Sequence, residues 1–96
     1  MKLSATDIRV LRAASQWDRH GCAVATGRVT RLRDVERLVA RGLMSDAGMA
    51  IAVDGDGFTR HPERRTRAWR LTDAGRAALE RFDAEDAERM KAGGVE

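Results

Sequence analysis

Cysteine occurs once in this chain of 96 residues, proline once, and tyrosine not at all. The lone thiol, Cys22, has no internal partner, so no disulfide framework is expected and a reducing, cytoplasmic setting is. Long apolar runs are missing too. Asp7 and Arg9 interrupt the N-terminal stretch, which leaves no candidate for a membrane span or a signal peptide. Aromatic residues make up 4%, and Trp17 and Trp69 are most economically core residues. Histidine occurs twice, and no nucleophile stands beside a base in a recognisable motif, so an enzyme is the least expected class. His20-Gly-Cys22 offers two metal ligands without a second pair, and Asp54-Gly-Asp-Gly57 lacks the later glutamate of a calcium loop. Both read as turns, and no metal or cofactor is expected.

What the chain has in quantity is charge. It is 34% charged and 43% hydrophobic, the balance of a globular protein rather than a disordered one. One domain over residues 1–90 is expected, with 91–96 as a flexible tail. Of the 18 basic residues only Lys2 and Lys91 are lysine; the rest are arginine, whose planar fork suits phosphates and guanine edges. A GC-rich genome produces the same bias, so position is more informative than number. Residues 1–71 carry 14 Lys/Arg against 8 Asp/Glu, while 72–96 carry 4 against 7. The basic part is therefore the first three-quarters, and the last helix is acidic.

Local signals divide the chain into elements. Ser4 caps a first helix, with Asp7 in its first turn, Leu3 and Ile8 placed as a hydrophobic staple, and Gly21 as the stop. A second helix runs from a Thr30 cap through Leu32, Val35, Leu38 and Val39 to Gly42, after which Leu43 folds back. Between them, residues 21–29 read equally as a strand or as a short helix. Met49, Ile51 and Val53 alternate with alanines as in a strand, the 54–57 segment is a turn, and 58–66 reads as an exposed basic loop. Residues 67–71 alternate again, placing Trp69 and Leu71 on one face. Thr72 then caps a last helix whose buried side is Ala74, Ala78, Leu79 and Phe82. Gly75 in its first turn costs about 1 kcal/mol relative to alanine. A backbone packed against it, at the first helix or the end of the second, would explain it.

The segment Leu38-Val-Ala-Arg-Gly-Leu-Met44, a hairpin, and then Trp69-Arg-Leu-Thr-Asp-Ala-Gly-Arg-Ala-Ala-Leu79 resemble winged helix-turn-helix proteins, especially the MarR-like bacterial regulators. Leu71, Thr72, Gly75 and Leu79 match that group's L-T-x-x-G-x-x-x-L pattern, and the resemblance spans roughly residues 30–82. It implies an α+β, helix-rich winged-helix fold of about three helices with a two- to three-stranded wing. It also implies a transcriptional regulator that binds double-stranded DNA, with the helix at 30–41 in the major groove. The basic wing at 58–67 would lie on phosphates or in the minor groove. The interface residues expected on this basis are Arg28, Thr30, Arg31, Arg33, Arg37, Arg60, Arg64, Arg65 and Arg67. A homodimer is expected on general grounds, since two half-sites double the contacts. The interval of roughly nine residues before Thr30 is short for a second helix plus a turn. Small winged-helix domains also serve as protein-interaction modules or subunits of larger complexes, and the acidic last helix could then meet a protein partner.

Overall fold

The computed structural model describes residues 2–27, 30–53 and 60–94, with side chains omitted for 60–64 and 91–94. Helix α1 (Ala5–Asp18) begins as its sequence dictates: the Ser4 hydroxyl accepts the Asp7 N–H at 3.1 Å, and Asp7 Oδ2 accepts the Ser4 N–H at 3.0 Å. This reciprocal box satisfies two donors that a helix start otherwise leaves unpaired. Its far end closes with the Cys22 N–H on the Trp17 carbonyl and Gly21 at φ +73°. Strand β1 (Ala23–Val24) follows, so the described part of the ambiguous segment holds a two-residue strand and no helix.

Helix α2 (Leu32–Ala40) starts two residues later than the expected cap. Arg31 holds the N-cap position without a side-chain bond, because Thr30 is turned inward and fully buried. Leu32, expected in the apolar stripe, is 44% exposed, whereas Val35 and Leu38 are buried. At the other end the Leu43 N–H bonds the Leu38 carbonyl at 2.9 Å and the Gly42 N–H bonds the Val39 carbonyl at 2.9 Å. These are the paired bonds that terminate a helix on a left-handed glycine.

Strands β2 (Met44–Val53) and β3 (Arg60–Leu71) form a long antiparallel hairpin. The expected basic loop at 58–66 is thus mostly strand, from Arg60 onward; the turn expected at 54–57 lies outside the described residues, as do 58–59. Pro62 is accommodated because the ladder advances from Arg60 to Arg65 on β3 while stepping only from Val53 to Ile51 on β2. A proline in such an irregularity removes no ladder bond. A second shift, between Asp46 and Gly48, places Gly48 at φ +71° with its N–H on Asp46 Oδ1 at 2.7 Å. Bulges of this kind increase the local twist.

The twist closes the sheet on itself. β1 pairs in parallel with Ala52 and Val53 of β2 and antiparallel with Trp69 of β3, so three strands form a closed barrel. So few strands enclose almost no volume, and the residues that meet there are Ala23, Ala25, Ala52 and Ala68, with Ala47 and Ala50 beside them. The alternate positions point outward. Where the helices cover them they form the main core: Val24, Val53, Trp69 and Leu71 join Leu11, Val35 and Leu38. Replacing Ala68, which is fully buried, by valine is expected to cost about 2 kcal/mol by overpacking. Urea denaturation should register it, with no comparable change for Met49→Leu on the exposed side.

Helix α3 (Asp73–Gly94) starts against the Gly42–Leu43 turn that follows α2 and packs on α1. Leu79 and Gly75 are buried and Ala78 and Phe82 half-buried, but Ala74 is exposed. Helical backbone continues through Gly94, so most of the expected tail at 91–96 is an extension of α3, and residues 95–96 lie outside the described residues. No Pro interrupts the stretch from Ala84 to Ala92, whose Ala, Glu, Arg, Met and Lys residues have good helix propensity, while Gly93 and Gly94 at its end do not. Among the described residues the fold is α+β, three helices with a three-stranded sheet. No helix in them is long and apolar enough to cross a membrane.

Candidate nucleic-acid interface

The arginines of this chain divide into those that hold the fold together and those that project from it. Arg37 belongs to the first class. Its Nη2 lies 2.5 Å from Asp7 Oδ1 and 3.2 Å from Asp34 Oδ1, and its Nε donates to Asp7 at 3.1 Å. Arg41 adds a contact to Asp7 Oδ2 at 3.4 Å. Asp7 and Asp34 are themselves buried, so two acids and two arginines pin α2 to the first turn of α1. Burial pushes the Asp7 carboxyl up. The Arg37 hydrogen bonds, the Ser4 bonds and the Arg37 charge outweigh that and hold it below the usual carboxylate value. The same bonds to Asp7 raise Arg37 above its ordinary value. Other arginines are tied in the same way. Asp18 receives Arg76 at 2.8 Å and Arg70 at 3.5 Å, and Arg12 meets Asp83 at 2.6 Å.

The expected interface residues therefore separate. Arg28 lies outside the described residues. Thr30 is fully buried, which turns its hydroxyl away from solvent. Arg37 is 40% exposed at its side chain and engaged with Asp7 and Asp34. Arg31 and Arg33 at the start of α2 are exposed, with Arg33 no nearer than 3.9 Å to Asp34 and 81% exposed at its side chain. Arg60 and Arg64 lie on β3, with side chains outside the description. Arg65 and Arg67 project from the same strand, two residues apart and hence on one face.

On that face the register sets Arg67 opposite Met49 and Arg65 opposite Ile51. Met49 is 62% exposed and Ile51 54%. Both stand on the outward side of the barrel, beyond the cover of the helices. Arg67 is partly fixed: its guanidinium sits 5.0 Å above the Trp69 ring and 3.4 Å from Asp46 Oδ2. A cation over the face of an indole is held by the ring quadrupole while its outer edge stays free to donate. The sequence pattern marked Met49 and Ile51 as strand residues, and their exposure was hidden because it depends on where the helices end. Asp7 was legible as a capping residue only. Its partners stand 30 and 34 positions away, and no local spacing reveals them.

No family model matches the chain, and no curated protein or solved structure does either. Among the described residues no group of three or more His, Cys, Asp or Glu side chains could hold a metal ion.

Proposed function

We propose that this protein binds double-stranded DNA, as a small regulator built on a winged-helix-like arrangement. The observation that carries the reading is the placement of exposed arginines in pairs on two elements, the start of α2 and the outer face of β3. Arg31 and Arg33 extend from the start of α2, and Arg65 and Arg67 from the outer face of β3. Charge over residues 1–71 favours a polyanionic partner, and arginine supplies forked donors for phosphates and base edges. The helix–strand–helix–hairpin–helix order agrees with the layout that the Leu71-Thr-x-x-Gly75 motif suggests.

Selection of sheared genomic DNA by the purified protein at near-physiological salt tests this. Enrichment of one short site supports a sequence-reading regulator. Retention that vanishes as salt rises, without enrichment, would leave only the nonspecific attraction that any basic surface provides. A companion variant sharpens the test. Arg31→Ala with Arg33→Ala is expected to weaken binding to all sequences alike and to flatten the plot of log affinity against log salt by about 2.

A second reading, a protein-interaction module, is favoured by one feature. A groove of about 800 Å³ runs between the N-terminal segment and α3, lined in part by Leu3, Leu43, Ala78 and Phe82 and edged by Lys2 and Arg81. A homodimer through this face and the projecting half of α3 would also expose two copies of the basic surface. Sedimentation at micromolar concentration distinguishes a monomer from that dimer.

A further inference from the structure

We infer that the β2–β3 ribbon, and not α2, is the element that reads bases, by seating its outer face in the major groove. The inference rests on the DNA-binding reading above and assigns its parts. Four side chains form a compact grid on that face: Met49 opposite Arg67 and Ile51 opposite Arg65. The opposite face of the ribbon is closed over alanines, so this outer face is the convex one. It cannot turn its apolar pair inward without filling a barrel that holds only alanine.

Widths decide which groove it fits. Two strands lie about 4.8 Å apart before their van der Waals envelopes are added. The minor groove, about 6 Å wide, is too narrow for that ribbon, whereas the major groove, about 12 Å wide, admits one. The grid then matches what the major groove displays. Arginine forks pair with the O6 and N7 of guanine, and apolar side chains meet the C5-methyl of thymine. Arg67 is held over Trp69, which limits the freedom it loses on binding. On α2, by contrast, Thr30 is buried and Arg37 is engaged with Asp7 and Asp34. What remains exposed at its start, Arg31 and Arg33, suits phosphate contact. Phosphates are sequence-independent, so such contacts would position the ribbon without reading.

The test uses the full chain and the duplex recovered by genomic selection, compared with the same duplex carrying uracil for thymine. Wild type is expected to lose about fourfold in affinity for each contacted methyl removed. Met49→Ser with Ile51→Ser should bind the thymine duplex that much more weakly and show no further loss with uracil. Arg65→Ala is expected to erase about a tenfold preference at one guanine, while Arg31→Ala with Arg33→Ala leaves the preferred sequence unchanged. If the α2 pair changes the preferred sequence and the ribbon variants do not, the ribbon assignment is wrong and DNA binding stands. Loss of guanine and methyl effects in favour of minor-groove contacts likewise overturns it. No retained duplex of any sequence removes both readings. If Met49→Ser with Ile51→Ser converts a dimer to a monomer without altering DNA binding, the face is a self-contact and the assignment fails.

Discussion

Gly75→Ala is expected to lose about 3 kcal/mol of stability and to melt 10 °C or more below wild type, on the scale of about 4–8 °C per kcal/mol for domains of this size. A β-carbon built on Gly75 would collide with the carbonyl oxygen of Leu43 and come within 2.9 Å of Leu71 Cδ1 and 3.0 Å of the Leu43 carbonyl carbon. The first obstacle is backbone, and it is not free to withdraw. Leu43 is fixed from one side by its N–H bond to Leu38 at the end of α2. From the other side the Thr72 N–H donates to the Leu43 carbonyl at 3.2 Å, and the Thr72 hydroxyl donates to the Gly42 carbonyl at 2.6 Å. The same hydroxyl accepts the Gly75 N–H at 3.0 Å, so one threonine caps α3 and fastens it to the turn. Alanine would gain about 1 kcal/mol of helix propensity, and the overlap must exceed that gain. Thermal unfolding checks it, with Ala77→Gly on the exposed side of α3 as the control for propensity alone. An unchanged melting temperature for Gly75→Ala would mean that α3 sits farther from Leu43 than described.

This position also shows what was legible in the sequence. A glycine within a freshly capped helix announces a close neighbour, and the end of the second helix was one of two places expected to supply it. The start of α1 and the ends of α1 and α2 were equally readable, because Ser4, Gly21 and Gly42 act through bonds to residues within one turn. Two features were not readable. Strand register depends on bulges at Gly48 and before Val53, and a shift of one residue moves every side chain to the other face. The hairpin arginines therefore looked like a loop. Burial of Thr30 and capture of Arg37 depend on tertiary partners, so a helix that reads as offering Arg31, Arg33 and Arg37 alike leaves only the first two uncommitted. Alanine at alternate strand positions carried a signal that could have been used. Repeated small residues on one face, at Ala23, Ala25, Ala50, Ala52 and Ala68, fit a sheet closed too tightly for anything larger.

Asp7→Ala is expected to cost about 2–3 kcal/mol at pH 7 and to make the remaining stability less sensitive to acid. Three interactions end on this carboxylate: the N-cap box with Ser4, the paired bonds from Arg37 and the contact from Arg41. Losing a helix cap alone is worth about 1 kcal/mol. The ion pairs add to it, but less than a fully buried pair would, because Arg37 keeps Asp34 at 3.2 Å and part of its side chain faces water. The folded-state pKa of Asp7 lies below its unfolded value of about 3.9. The unfolded chain therefore binds the proton more readily, and the contribution of Asp7 is present in full above about pH 5. It is lost as pH falls through 4 toward the lower folded value. Denaturant titrations of wild type and Asp7→Ala at pH 7 and pH 3 should therefore converge at the acid end. A gap that stays constant between the two pH values would mean that Asp7 acts through shape and capping geometry, with no charge coupling between α1 and α2.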